Sequence, residues 1–116
     1  NMKRGNKPKF GRERNQRKAL ERSLATALID HGKITTTKVK AKMLSTYVDK
    51  MITLAKKQNL ASRRLLQTKI GVKTVDKLMK DISPRFSETY GGYTRVVRLA
   101  RRKSDGSEMA VIEFTK

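Results

Sequence analysis

The sequence predicts an α/β (α+β) fold: about four helices packed with a small three-stranded mixed sheet, plus a basic N-terminal extension. Three observations carry that prediction. Apolar residues recur at helical spacing from Leu20 to Ile82. Beyond Gly91-Gly92 the pattern changes to two β-rich runs around an Asp-Gly turn signal. The first 22 residues hold nine Lys or Arg and two Glu, and before Leu20 no aliphatic side chain larger than Ala except Met2. Such a segment cannot build a core of its own and awaits an anionic surface. The predicted organisation is therefore a basic arm over residues 1–12 and one domain over 13–116.

The first helix is predicted over about Arg12–Asp30. Leu20, Leu24 and Leu28 recur every four residues, with Ala25, Ala27 and Ile29 beside them. Arg14, Lys18 and Arg22 also recur every four, two positions out of phase, which is about 200° around a helix. A basic stripe thus faces away from the leucines. Gly32 is a C-terminal stop. Lys33–Thr36 reads as a strand, and Thr36 or Thr37 can cap the next helix. That helix, about Lys38–Lys57, repeats Val39, Met43, Leu44, Tyr47, Val48, Met51, Ile52 and Ala55. Two shorter helices follow, about Leu60–Ile70 and Val72–Ile82, separated by Gly71. Ser83-Pro84 is expected to end or kink the last of them. The closing strands are Tyr93–Arg102 and Glu108–Thr115, joined through Asp105-Gly106.

The chain has 116 residues and a net charge of +19, with a pI near 10.8. Hydrophobic residues make up 36%, below the usual range of roughly 45–50%. A merely soluble surface needs a net charge of magnitude only about 2–8. Charge of this size points to a polyanion, and to nucleic acid first. An isolated domain with this charge repels itself in the compact state, and no homo-oligomer is expected. The chain contains no cysteine, so neither disulfides nor thiolate metal sites arise. No apolar run approaches the roughly 20 residues of a membrane span, and the basic start lacks the apolar stretch of a secretory signal.

Catalytic signatures are sparse. His31 is the lone histidine and sits at a predicted helix end. No phosphate-binding glycine loop and no nucleophile elbow appears, so no cofactor, metal or enzyme activity is expected. Candidate RNA-contacting residues are dense instead. In the arm they are Lys3, Arg4, Lys7, Lys9 and Arg12, and on the first helix Arg14, Arg17, Lys18 and Arg22. Lys38, Lys40 and Lys42 crowd the start of the long helix, where cations oppose the helix dipole and an external anion would account for them. Arg63-Arg64 is a further basic pair, and Arg85 stands after the Ser-Pro step. In Thr89–Arg98 the glycines Gly91 and Gly92 allow close backbone approach. Tyr90 and Tyr93 offer rings to an unpaired base, and Thr94, Arg95 and Arg98 follow. Tyr93 reads equally well as a core residue at the entry of a strand.

RNQRKALERSLATALIDHGKITTT, KAKMLSTYVDKMITLAKK, NLASRRLL, SPRFSETYGGYTRVVR and EMAVIEF occur in that order. Together they resemble the bacterial-type large-subunit ribosomal protein seventeen family, from about Gly11 to Thr115. PRF…GGYTR followed by MAVIE is the specific part. The arm departs from the family's Met-Arg-His opening, and Lys38 or Val39 stands where the family often has Pro. The resemblance implies a structural protein that binds large-subunit ribosomal RNA, without catalysis. It also implies neighbouring large-subunit ribosomal proteins near the outer region of the peptide exit tunnel. The implied location is the ribosome of a bacterial cytoplasm, with an organellar ribosome as the alternative. Two other readings compete: a DNA-binding module using the helices around Gly71, and an RNA-modifying enzyme.

Overall fold

The structure, a computed structural model, describes residues 14–116. The expected arm, with Lys3, Arg4, Lys7, Lys9 and Arg12, lies outside the described residues. The described chain runs through α1 (Arg14–His31), β1 (Lys33–Thr37), α2 (Lys38–Ala55), α3 (Leu60–Gln67) and α4 (Val72–Lys77). It continues through a π-helical turn (Leu78–Ile82) and a last helical turn (Ser83–Arg85), then β2 (Thr94–Arg98) and β3 (Met109–Phe114).

Helix α2 is the spine of the fold. Ala41, Leu44, Val48, Met51, Ile52 and Ala55 form one buried stripe at helical spacing. One part of α2 covers the sheet and another packs on α1 and α3. The expected stripe differs at two places: Val39 is half exposed, while Ala41 is fully buried. Thr37 ends β1 in extended geometry and its hydroxyl accepts the Lys40 N–H at 3.4 Å, which caps α2. In α1 the buried line is Ala25, Leu28 and Ile29. Gly32 then takes φ 83° and donates its N–H to the Leu28 carbonyl at 2.7 Å, closing the helix.

The sheet has the order β1-β3-β2, and both pairings are antiparallel. This corrects the mixed sheet expected from sequence. The hairpin makes β2 antiparallel to β3, and β1 pairs with the other edge of β3 in the same sense. Ala110, Ile112 and Phe114 of β3 point to α2, and Ile34 and Val96 flank Ile112 in register. Each large apolar side chain buried in this way stabilises the fold by roughly 1.5–3 kcal/mol. Among the described residues, no helix is long and apolar enough to cross a membrane.

Pro84 neither stops the helix nor breaks it. Ser83 donates its N–H to the Leu78 carbonyl, five residues back, which is the π-helical bond. The Met79 carbonyl is then left over, because Pro84 has no N–H to offer it. Gln58 fills that gap: its Nε2 donates to the Met79 carbonyl at 2.9 Å and to Ser83 Oγ at 2.9 Å. Phe86 emerges from this turn fully buried, 5.2 Å edge-on to Tyr93 and 6.4 Å from Phe114.

Candidate nucleic-acid interface

The outer face of α1 follows from its two interleaved four-residue repeats. Packing Leu24, Leu28 and Ile29 inward turns Arg14, Lys18 and Arg22 to the surface, with Arg17 half-buried beside them. Beside this stripe lies an open groove of about 580 Å³. Asn15, Lys18, Glu21 and Arg22 of α1 line one wall, and Tyr47, Thr68 and Lys69 the other. Burial pushes the Tyr47 hydroxyl above its ordinary pKa, Glu21 adds to that, and Arg22 opposes it. The groove therefore presents Lys18, Arg22 and Lys69 against a single carboxylate. Among the described residues, no carboxylate forms an ion pair with Arg14, Arg17, Lys18 or Arg22.

Other candidate cations are occupied within the fold. Lys38 Nζ lies 3.6 Å from Glu108, and the Lys38 N–H donates to the Glu108 carbonyl at 2.9 Å. The anion expected from outside at the start of α2 is thus supplied for Lys38 by the hairpin. Lys40 and Lys42 have no ion-pair partner among the described residues. Arg63 pairs with Asp76, and its guanidinium also reaches the Met79 sulfur at 3.7 Å. Its neighbour Arg64 is exposed. Arg85 grips both Asp81 oxygens at 3.0 Å and donates to the Lys116 carbonyl at 3.3 Å. Arg95 donates to Glu113 across the strands at 2.6 Å, while Arg98 is exposed. Exposed pairs of this kind are worth about 0–1 kcal/mol each. Their larger effect is to cancel local charge.

The Gly91-Gly92-Tyr93-Thr94-Arg95 segment divides in two. Gly91 and Gly92 adopt φ 84° and 68°, which only glycine takes without strain. They reverse the chain between an exposed loop and a buried strand start. Tyr93 is 2% exposed and is no surface ring, which corrects its place among the RNA-contacting candidates. Its hydroxyl accepts from Thr53 Oγ1 at 3.3 Å and from Lys56 Nζ at 3.3 Å. Thr94 is likewise buried. Its hydroxyl donates to Asp49 Oδ1 at 3.0 Å and lies 2.8 Å from Ser45 Oγ. Partial burial raises the Asp49 carboxyl above its ordinary pKa, against the lowering effect of hydrogen bonds from Thr94 and Tyr93.

Three participants escape the sequence reading. Lys69, in the turn after α3, reaches the groove only because α3 packs on α2 and α4 packs on α1. Lys56 reads as one more lysine at a helix end, yet its ammonium lies over two tyrosine rings. Tyr47 looks like an ordinary stripe residue, although it lines the groove. Among the described residues, no group of His, Asp and Glu is arranged to hold a metal ion.

The family model described as ribosomal protein L17 matches residues 20–115, so by class this is a ribosomal protein. A large ribosomal subunit protein bL17 from Persephonella marina is 49% identical over 110 residues, covering 92% of this chain and 89% of that protein. One from Shouchella clausii is 45% identical over 115 residues, covering 91% and 96%. A third, from Bdellovibrio bacteriovorus, is 49% identical over 106 residues and 90% of this chain. It is a longer protein, of which the match spans 59%. The chain belongs to the ribosomal protein L17 family. Proteins of this family are structural and not enzymes.

Proposed function

We propose that this chain packs against large-subunit ribosomal RNA through its basic arm and the outer face of α1, with the groove beside it. Family membership makes it a structural constituent of the large ribosomal subunit. The observation that supports the RNA-facing side is the α1 stripe: Arg14, Arg17, Lys18 and Arg22 have no carboxylate partner among the described residues, and Lys69 adds a cation across the groove. Unpaired cations condense on phosphates and release counterions, so binding falls steeply with salt. Selectivity rests on RNA shape and unpaired bases, since the A-form major groove is too narrow to read. The cations of the sequence over residues 1–12 would add phosphate contacts to those of α1. The resemblance further supports neighbours among the large-subunit proteins around the peptide exit tunnel, in the cytoplasmic ribosome of a bacterium.

The test is a salt titration of binding to deproteinised large-subunit ribosomal RNA, with duplex DNA as competitor. A linear fall of log affinity with log salt, and weak competition by DNA, are the expected results. Affinity indifferent to salt, or equal preference for DNA, would remove this reading. Co-migration of the chain with large subunits on a sucrose gradient checks the assembly.

A further inference from the structure

Tyr90 is 92% exposed, while Tyr93, three residues on, is 2% exposed. The loop from Phe86 to Tyr93, which carries Tyr90, is pinned at both ends, because the buried Phe86 and Tyr93 rings meet at 5.2 Å. Further ties hold its interior. Thr89 donates its N–H to the Phe86 carbonyl at 2.9 Å, and Lys116 Nζ donates to Thr89 Oγ1 at 3.1 Å. Thr115 donates its N–H to the Tyr93 carbonyl at 2.9 Å. Lys56 Nζ donates to the Thr89 carbonyl and sits 5.1 Å from the centre of the Tyr90 ring, 5.2 Å from that of Tyr93. One face of Tyr90 thus rests on an ammonium that the fold itself holds, and the other is open to solvent.

We propose that the open face of Tyr90 is a stacking platform for an unpaired nucleobase of the RNA, with Lys56 and Lys116 beside the attached phosphate. The proposal rests on the RNA-binding reading above. The backbone on either side of Tyr90 is tied to the fold, so the ring is presented from a fixed base, and every nucleobase offers a π-face to it. The adjoining cations favour a ligand that carries a phosphate next to its ring. Glu88 is exposed in the same loop and opposes a phosphate that comes close to it.

The experiment compares the 116-residue wild type with Tyr90→Phe, Tyr90→Leu and Tyr90→Ala, using deproteinised large-subunit ribosomal RNA as the probe across a salt series. The side chain is exposed, so all variants should melt like the wild type. Tyr90→Phe should bind within about twofold of wild type, and Tyr90→Ala roughly 5- to 150-fold more weakly. Tyr90→Leu should fall near Ala, and the salt slope should not change, because no phosphate contact is deleted. Tyr90→Ala binding like wild type, while α1 charge variants weaken it, would overturn the platform and leave the RNA reading standing. A loss in Tyr90→Ala accompanied by a shallower salt slope would also overturn it. Wild type that fails to bind RNA at all would overturn both.

Discussion

Helix α1 and the β2–β3 hairpin are both rich in arginine and lysine, but they hold them differently. Along α1, Arg14, Lys18 and Arg22 stand one turn apart, and none of them forms an ion pair among the described residues, although Glu21 shares the groove with Lys18 and Arg22. In the hairpin, Arg95 meets Glu113, Arg101 meets Glu108 at 3.1 Å and Arg102 meets Asp105 at 3.1 Å. Asp105 accepts the Ser107 N–H and then Arg102, and its carboxyl lies below the ordinary value for those reasons in that order. The hairpin's charges shape a turn and register two strands. The helix's charges have nothing inside the fold to do. Counting cations points to a polyanion, while pairing separates the cations that the fold uses from those that it leaves over.

That contrast can be broken by experiment. The largest effect should come from the fold side: Tyr93→Ala removes a ring packed on Phe86 and should cost about 3–5 kcal/mol of unfolding free energy. A chemical denaturation midpoint close to wild type would show that the ring is not core. Next comes the ligand side. Replacing Arg14, Lys18 and Arg22 together by Gln should flatten the plot of log affinity against log salt by about 2–3 units of slope, roughly one per phosphate contact. The matched triple Arg95→Gln, Arg101→Gln and Arg102→Gln should change it by less than about 1. Equal losses in the two triples would erase the distinction between the regions.

Smaller effects sharpen it. Glu113→Gln should lower stability by no more than about 1 kcal/mol, yet it frees Arg95, so RNA affinity at low salt should rise; a fall would mean that Glu113 itself supports the interface. The smallest effect concerns Asp49. Its carboxyl binds a proton more tightly in the folded chain than in the unfolded one. Its contribution to stability is therefore complete when protonated and is lost as pH rises through its raised pKa. Asp49→Asn should melt progressively higher relative to wild type as pH climbs through the carboxylate range, then keep a constant lead. A lead independent of pH would mean that the carboxyl is not raised.

Much of this architecture is legible in the residues because it is local. The stripe of α2, the leucine and basic repeats of α1, the Gly32 stop and the Asp105-Gly106 turn each depend on neighbours within one or two turns. What escapes is non-local. Nothing near Tyr90 and Tyr93 says which one is buried; Phe86, Thr53 and Lys56 decide that from other elements. The internal pairing of Lys38 with Glu108 spans most of the chain. Pro84 is a local stop signal that loses to distant chemistry, since an amide from the α2–α3 turn satisfies the carbonyl that the proline leaves over. The same limit explains the groove, whose Lys69 wall is set by how α3 packs.

Gln58 holds φ 55°, in the left-handed region, though it is not glycine. Glycine would relieve that backbone strain, yet it would leave the Met79 carbonyl with only the longer bond from Ser83 Oγ at 3.3 Å and strip Ser83 of its donor. Asparagine suits the left-handed region better but is one methylene short of Met79 and Ser83. Glutamate keeps the reach and brings an acceptor to a place that needs a donor. Every simple exchange at this position trades one demand against another. A residue that touches no ligand is thereby boxed in by the route the chain must take to deliver Phe86, and behind it Tyr90, to their places.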